Sequence, residues 1–229
     1  MSIIKPLTLF SHGDTPNPTK VAIILKELSI PYKVAMIEWD NLHKEPFTNV
    51  TPNGRVPAID DPNTGITLWE SGAIIQYLID TYDKEGKISY SSSPERYQQA
   101  QWLFFQTSGQ GPYYGQAVWF HKHHPERLPT AEERYVREVE RVIGVLDSWL
   151  QQHDYLVGDK VTYADLSFIP YAAAVPRMDF LNQYGKIFEG GKYAAYQAWL
   201  EKLLARDSVK KGIEPTAELI EGAANKIAK

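Results

Sequence analysis

The 229-residue chain contains no cysteine. Without a protein thiol it forms no disulfide, offers no thiolate to a metal and has no cysteine nucleophile, so any sulfur nucleophile must come from a bound small molecule. Long hydrophobic runs are also absent, and no stretch reaches the length that spans a membrane. Residues 1–10 contain one lysine and lack the apolar core of a targeting segment. These absences predict a soluble, cytoplasmic protein without a membrane partner.

An excess of positive charge is absent as well. The formal net charge is −4, whereas a protein that binds nucleic acid usually carries a basic patch, so we expect no nucleic-acid partner. Hydrophobic residues make up 43% of the chain and charged residues 23%, which is ordinary for a globular protein. The length is sufficient for one large domain or two small ones, each with its own core.

The first part of the chain alternates between strand-like runs and helical periods. Two apolar runs, at 7–10 and 32–37, predict strands on either side of a helix over 21–28. A turn sequence at 61–65 predicts a hairpin, and a helix over 72–82 follows it. This order of elements is typical of a thioredoxin-like domain.

The predicted fold class is therefore an α/β thioredoxin-like N-terminal domain plus an all-α C-terminal domain. The first domain is assigned to residues 1–85, and the polar stretch over 84–94 predicts a linker. From there the chain has helical periods throughout, so the all-helical domain is assigned to residues 94–229.

Several features are predicted within the helical domain. Glycines and a proline between 109 and 115 predict a kink or break in its first helix. An amphipathic helix is expected over 132–150, and Thr162 with Asp165 predicts a capping box at the start of another helix. The tail over 214–229 is expected to lie loosely on the surface.

Two loops of the first domain suggest a ligand. Proline lacks an N–H group, so Pro57 is expected at a strand start. If the Val56-Pro57 bond is cis, the turn exposes the Val56 N–H and C=O groups, which can pair with an extended peptide. Ser71 at a helix start can bind a carboxylate, and Glu70 can accept a bond from an ammonium group. Together these features predict a peptide with a free amino-acid head, and glutathione fits this description.

Four segments carry a family resemblance: T-P-N at 15–17, T-P-N-G-R-V-P-A-I at 51–59, W-E-S-G-A-I at 69–74 and W-L-F-F-Q-T-S-G at 102–109. In this order they resemble the cytosolic glutathione transferases. More narrowly, they resemble the branch that contains a yeast nitrogen-catabolite regulator with a prion form and the bacterial nu-class transferases, which are disulfide-bond reductases. The resemblance extends over nearly the whole chain, and it implies glutathione as co-substrate and a homodimer.

Such an enzyme needs the thiolate of glutathione near neutral pH. A free thiol has a pKa of about 8.5, and lowering it by about two units takes roughly 2.7 kcal/mol. One hydrogen bond to a charged acceptor supplies about 1.5–3 kcal/mol, so no protein base is required. The resemblance implies Asn17 as the catalytic donor to the sulfur, with Thr15 assisting. Ser11 is the alternative, because several other transferase classes have a catalytic Ser or Tyr just after the first strand.

A larger set of residues completes the implied glutathione site. These cofactor-binding residues are His43, Val56, Pro57, Glu70, Ser71 and Arg134. His43 matches a polar residue that binds the glycyl carboxylate in this branch, and Lys44 competes for that role. Arg134 matches an arginine that reaches glutathione from the second subunit in the bacterial relatives.

Aromatic residues of the helical domain are candidates for the substrate pocket between the domains. They are Tyr113, Tyr114, Trp119 and Phe120, although aromatics at helical spacing are also typical of a core. The neighbouring histidines at 121, 123 and 124 lack the i, i+4 spacing of a helical metal site. Because no cysteine or carboxylate cluster completes such a site, we predict no metal.

Two classes of function follow. The first is a glutathione-dependent enzyme that conjugates a small hydrophobic electrophile, reduces an organic hydroperoxide or reduces a disulfide. The alternative is a non-catalytic protein that binds glutathione or a hydrophobic ligand, or a regulatory protein. Turnover of any of the three second substrates separates these classes.

Overall fold

The computed structural model describes residues 3–13, 15–184 and 188–213. The strands are β1 (Leu7–Ser11), β2 (Tyr32–Met36), β3 (Ala58–Asp61) and β4 (Ile66–Trp69). The helices of the N-terminal half are α1 (Pro16–Glu27), α2 (Phe47–Val50) and α3 (Ser71–Tyr82). Those that follow are α4 (Glu95–Phe105), α5 (Gly111–Lys122), α6 (Pro129–Leu150), α7 (Tyr163–Ala174), α8 (Ala194–Leu204) and α9 (Asp207–Ile213).

The chain divides into two compact units. Of the described residues, one unit comprises those up to 89 together with 206–213, and the other comprises those between 90 and 205. Among the described residues no helix is both long and apolar enough to cross a membrane.

The first unit is built on a four-stranded mixed sheet with the strand order β2-β1-β3-β4. β1 is parallel to β2 and antiparallel to β3, and β3 is antiparallel to β4. The hairpin between β3 and β4 forms where the turn sequence predicts it. Strand, helix, strand, hairpin and helix therefore follow in the order predicted for a thioredoxin-like domain.

α1 is the most deeply buried helix of this unit. The apolar run Val21–Leu25 gives it buried side chains on all sides, because the helix packs against α3, α9 and β1. Two charged residues of α1, Lys20 and Glu27, are buried with the apolar ones, at 1% and 4% exposure.

The structure places the boundary of the first unit later than residue 85. The buried carboxylate of Asp83 accepts hydrogen bonds from the Lys87 and Ile88 N–H groups and from the Ser89 hydroxyl. Because these bonds fold the polar stretch back onto the end of α3, residues 84–89 belong to the first unit and are not a free linker.

The C-terminal boundary of the helical domain also differs from the predicted 94–229. α9 packs on α1 in the first unit, where a side chain at Gly212 would collide with Ile23. The Arg206 guanidinium and the Ser208 hydroxyl both donate to the Glu27 carboxylate, at 2.7 and 2.5 Å. These contacts assign α9 to the first unit, and the predicted tail at 214–229 lies outside the described residues.

The second unit is a helical bundle. α4 packs on α7, α5 packs on α6, and α8 contacts both α6 and α7. The predicted break in the first helix is a π-helical segment, Gln106–Gln110, between α4 and α5. Its buried side chains are tied together, because the Gln106 amide donates to Gln110 and the Gln110 amide donates to the Phe168 carbonyl.

The predicted capping box of α7 is present. The Thr162 N–H donates to the Asp165 carboxylate at 2.9 Å, and the same buried carboxylate accepts bonds from the Leu156 N–H and the Trp199 indole. Asp165 therefore joins the start of α7 to the preceding loop and to α8.

Candidate functional site

Three loops of the first unit meet at one edge of the sheet. Phe10 pairs with Ala58, and Ala58 pairs with Trp69, so the end of β1, the start of β3 and the end of β4 lie side by side. The start of α1 follows the end of β1, and the start of α3 follows the end of β4. The Val56-Pro57 turn comes just before β3. The sheet thus brings together the three segments in which the sequence predicts glutathione-binding residues.

Two polar side chains at the start of α1, those of Thr15 and Asn17, differ in their hydrogen bonding. The Thr15 hydroxyl donates its single hydrogen to the His12 carbonyl at 2.8 Å, so it orders the turn before the helix. Asn17 is half-buried in the first turn, and its amide makes no hydrogen bond within the described part of the chain. This geometry favours Asn17 over Thr15 as a hydrogen-bond donor to a ligand.

Ser11, the alternative catalytic residue, lies at the last position of β1. Its side chain is buried, with 6% exposure. Its carbonyl accepts a hydrogen bond from the Ile37 N–H at 2.8 Å, which extends the pairing of β1 with β2. Ser11 is therefore less accessible than Asn17.

The turn before β3 has the predicted form. The Val56-Pro57 peptide bond is cis. Pro57 is buried and the Val56 side chain packs on the core cluster around Phe10 and Ala58. Within the described residues, the Val56 N–H and C=O groups make no hydrogen bond, so both are available to an extended peptide.

His43 lies against this turn. Gly54 has a φ of 61°, and a side chain at this position would collide with the His43 ring and the Leu42 carbonyl. Only glycine allows the histidine to approach the backbone so closely. His43 and its neighbour Lys44 are both exposed, so the structure leaves both as candidates for a carboxylate contact.

Glu70 and Ser71 form the start of α3. Glu70 has a φ of 70° and a ψ of 113°, which is a costly conformation for a residue with a side chain. Its carboxylate is exposed and lies 3.4 Å from the Asn53 amide nitrogen. Ser71 is the first residue of the helix, where backbone N–H groups have no partner in the helix and can bind an anion.

Lys20 is a buried charged residue that the sequence analysis missed. It lies one helical turn after Asn17, and its side chain is 1% exposed. Burial lowers the pKa of Lys20 to about 7, although the negative charge of Glu70 opposes this shift. A signal for it exists in the sequence: five consecutive apolar residues, Val21–Leu25, indicate a helix buried on all sides, so the flanking charges are expected to be buried too.

Two family models match the chain: the glutathione S-transferase N-terminal domain over residues 5–80 and the C-terminal domain over residues 112–207. The glutathione S-transferase-like protein tpcF of Aspergillus fumigatus is 44% identical over 222 residues, which cover 93% of this chain and 97% of tpcF. The chain belongs to the glutathione S-transferase family. This result confirms the resemblance found in the sequence.

Solved structures of family members confirm the predicted fold class. The glutathione transferase URE2P6 of Phanerochaete chrysosporium, in complex with oxidized glutathione, is 43% identical with a TM-score of 0.84, and the match covers 100% of both chains. Ure2p5 of the same organism, cocrystallized with 1-(S-glutathionyl)-2,4-dinitrobenzene, is 39% identical with a TM-score of 0.83, covering 93% of this chain and 94% of that one.

The aromatic residues predicted to line a substrate pocket differ in exposure. Trp119 is 41% exposed, and Phe120 stacks on Tyr135 at 5.3 Å between ring centroids. Tyr113 is half-buried, with the Arg141 guanidinium 5.9 Å from its ring centre. Tyr114 is fully buried and packs edge-on against Tyr171, which favours a role in the core over pocket lining.

Arg134 lies on the surface of α6. Its guanidinium donates to the Glu138 carboxylate at 2.7 Å, one turn along the helix. Because exposed pairs of this kind contribute little to stability, the pair does not prevent Arg134 from contacting a ligand. Within the described ranges, no group of three or more histidine, aspartate or glutamate side chains is arranged to hold a metal ion.

Proposed function

We propose that this member of the glutathione S-transferase family binds glutathione at the sheet edge of its first unit and activates the thiol for reaction with a second substrate. One observation carries the proposal. The adjoining ends of β1, β3 and β4 support it, because the helix that contains Asn17, the turn with the Val56 backbone groups and the start of α3 are connected to these ends. Each of these groups complements one part of glutathione.

The γ-glutamyl head is assigned to the start of α3. Its carboxylate binds the Ser71 N–H and hydroxyl at the positive end of the helix, and its ammonium binds the Glu70 carboxylate. The cysteinyl residue pairs with the Val56 N–H and C=O groups in the manner of a β-strand, beside Pro57. His43 or Lys44 is assigned to the glycyl carboxylate.

Asn17 is assigned to the sulfur. Its amide N–H groups donate a stronger hydrogen bond to the thiolate than to the thiol, so the interaction lowers the pKa of the thiol. The start of α1 adds a smaller contribution of about 0.3–1 kcal/mol from the helix dipole. Thr15 contributes by ordering the turn from His12, because its only hydroxyl hydrogen is engaged there.

The thiolate can react with three classes of second substrate. With an electrophilic carbon, the sulfur forms an S–C bond and the leaving group departs with its electron pair. With a disulfide, it forms a mixed disulfide and releases a thiolate. With a hydroperoxide, it accepts the terminal oxygen to give a sulfenic acid and an alcohol. A second glutathione completes the last two reactions and yields oxidized glutathione.

The ligands solved with two relatives fit these reactions. URE2P6 is solved with oxidized glutathione, the product of the reductions, and Ure2p5 is solved with an aryl conjugate, the product of a conjugation. For this chain we propose Tyr113, Trp119 and Phe120 as residues that contact the second substrate.

We further propose a homodimer. Exposed apolar side chains are unusual on a monomer when they lie close together. Tyr97 and Phe104 lie seven residues apart on one face of α4, with 69% and 61% exposure. α4 and α6 also line a cavity of about 880 Å³, whose walls include Trp102, Val145 and Trp149. A second copy of the chain is the proposed occupant of this face, and it would supply Arg134 to the glutathione site.

The decisive experiment measures the pKa of the thiol of bound glutathione from thiolate absorbance against pH. The wild-type protein is expected to lower this pKa by about two units. Asn17→Ala should return the pKa toward about 8.5 and reduce turnover of an aryl halide, a hydroperoxide and a mixed disulfide, while glutathione still binds.

Ser11→Ala serves as the matched control and should leave the thiol pKa low. If Ser11→Ala and not Asn17→Ala raises the thiol pKa, Ser11 is the activating residue. Tight binding of glutathione without a lowered thiol pKa or turnover would instead identify a binding or regulatory protein.

A further inference from the structure

His12 is a histidine beside the glutathione-binding segments that none of the assignments above uses. It is half-buried in the loop between β1 and α1, directly after Ser11 and three residues before Thr15. Its ring nitrogen Nδ1 lies 2.8 Å from the carbonyl oxygen of Ile37. Because a carbonyl oxygen only accepts hydrogen bonds, Nδ1 carries the hydrogen and donates it. This bond fixes the orientation of the ring.

The bond from His12 continues the pairing of β1 with β2 beyond the two strands. The last paired residues are Ser11 and Met36, and the Ile37 N–H then donates to the Ser11 carbonyl at 2.8 Å. On the Ile37 carbonyl, the His12 side chain takes the place of the next backbone donor. The Ile37 side chain is 2% exposed and belongs to the same core cluster as Phe10. His12 is therefore anchored on a segment that the core holds in place.

The backbone of His12 connects this anchor to the start of α1. Its carbonyl accepts the Thr15 hydroxyl at 2.8 Å, and Thr15 is the capping residue before the helix. The Thr15 carbonyl in turn accepts the Thr19 N–H and the Thr19 hydroxyl, at 3.3 and 3.0 Å. A series of hydrogen bonds thus runs from the Ile37 carbonyl to the first turn of α1, which contains Asn17.

The His12 ring has a second contact, with the ring of Trp39. The two ring centroids are 5.3 Å apart, and Trp39 is 69% exposed. Substitution can separate this contact from the hydrogen bond. A phenylalanine keeps an aromatic ring beside Trp39 and has no hydrogen to donate, whereas an asparagine keeps a donor and has no ring.

We propose that His12 is a positioning residue for the sulfur of glutathione, because its Nδ1–H holds the loop before α1 on the Ile37 carbonyl and so sets the position of the Asn17 amide. This inference rests on the proposed function, since it concerns the sulfur end of the same site. His12 acts through the loop and not by contact with the sulfur. A hydrogen bond weakens steeply when its geometry changes, so a shift of the Asn17 amide raises the pKa of the bound thiol.

The test compares His12→Asn with His12→Gln in the full-length protein. The amide nitrogen of asparagine is as many bonds from Cα as Nδ1, whereas that of glutamine corresponds to Nε2. The pKa of the thiol of bound glutathione is measured from thiolate absorbance. His12→Gln should raise this pKa by about one unit, and His12→Asn should keep it close to that of the wild type. Equal pKa values in the two variants would overturn the inference.

His12→Phe and His153→Phe form a matched pair. Nδ1 of His153 lies 2.9 Å from the Trp149 carbonyl, and its ring stacks on the Trp149 ring at 3.9 Å, so this histidine makes the same two kinds of contact in the second unit. His12→Phe should raise the thiol pKa as His12→Gln does, and His153→Phe should leave it unchanged. If His12→Phe keeps the pKa of the wild type, or if both variants raise it equally, the inference is wrong.

A ligand analogue tests whether His12 acts at the sulfur alone. S-methylglutathione keeps the head and the backbone of glutathione and has no ionisable thiol. His12→Gln should weaken its binding, measured by calorimetry, by less than about twofold. A loss of about tenfold would show that the whole site is disturbed and would overturn the role at the sulfur. A wild-type protein that does not lower the thiol pKa would contradict the proposed function as well, whereas normal pKa values in the His12 variants would contradict this inference only.

Discussion

Lys20 and Glu27 are two buried charged residues of α1. Both have lowered pKa values, and this has opposite consequences for the stability of the fold. Burial lowers the pKa of Lys20 to about 7, because Glu70 offsets only part of the cost of enclosing an ammonium. Burial alone would raise the pKa of Glu27, but hydrogen bonds from Arg206 and Ser208 outweigh it, and the pKa of Glu27 is lowered. Lys20 thus carries a cost to stability, whereas the Glu27 carboxylate stabilises the fold.

The cost at Lys20 predicts a dependence of stability on pH. The unfolded chain holds the Lys20 proton up to a pKa of 10.5, whereas the folded protein releases it near pH 7. Between these values the folded state binds fewer protons, so the free energy of unfolding rises with pH by at most about 1.4 kcal/mol per pH unit from this group. Below pH 7 the full cost remains.

Lys20→Met should therefore be more stable than the wild type at pH 6, and its advantage should shrink as the pH rises to 9. Urea unfolding at several pH values measures this difference, with Lys26→Met as the control. A constant difference across the range would mean that Lys20 is charged throughout or that it is not buried.

At the scale of elements, the contact between α1 and α9 decides which unit contains the C-terminal helix. Arg206 and Ser208 donate to the Glu27 carboxylate, and the Lys87 ammonium donates to the Glu27 carbonyl. Glu27 therefore connects the end of α1 to two segments that are distant in the sequence. No local pattern predicts this, because the partners lie 60 and 179 residues away.

Arg206→Ala should loosen this connection. The substitution removes one of the two side chains that donate to the buried Glu27 carboxylate. This loss should lower the free energy of unfolding by about 1–3 kcal/mol at pH 7. The stabilisation by Glu27 is present above its ordinary pKa of 4.5 and is lost as the pH falls through the lowered folded value, so the loss should shrink in acid. Chemical unfolding measures it.

Lys210→Ala, an exposed change in α9, is the control and should alter stability by less than about 0.5 kcal/mol. Equal effects of the two variants would show that the bond to Glu27 contributes nothing.

Several elements were predicted well because their signals are local. The capping box at Thr162 and Asp165 and the hairpin between β3 and β4 follow from residues a few positions apart. The break near Gly109 was predicted from glycine and proline, but not that it is a π-helical segment. The Gln110 amide of this segment donates to the Phe168 carbonyl, 58 residues away in the sequence.

At the scale of the whole molecule, the exposed face of α4 predicts the oligomeric state. The wild-type protein should be a dimer by light scattering, since Phe104 is an apolar side chain with 61% exposure on that face. Phe104→Glu places a charge there and should weaken the dimer about tenfold or more. Gln152→Glu, an exposed change just beyond α6, should leave the dimer intact.

A monomeric wild-type protein would contradict the dimer and would remove the role proposed for Arg134. If Phe104→Glu remains a dimer as stable as the wild type, another face forms the interface.

The sequence by itself determined the order of the strands, the family and the segments that are proposed to bind glutathione. It could do so because turns, caps and apolar periods depend on neighbours along the chain. Only the tertiary structure decided that the Thr15 hydroxyl donates to the His12 carbonyl, that Lys20 is buried and that α9 belongs to the first unit. The physical reason is that burial and hydrogen-bond partners are set by segments far apart in the sequence, which no local pattern encodes.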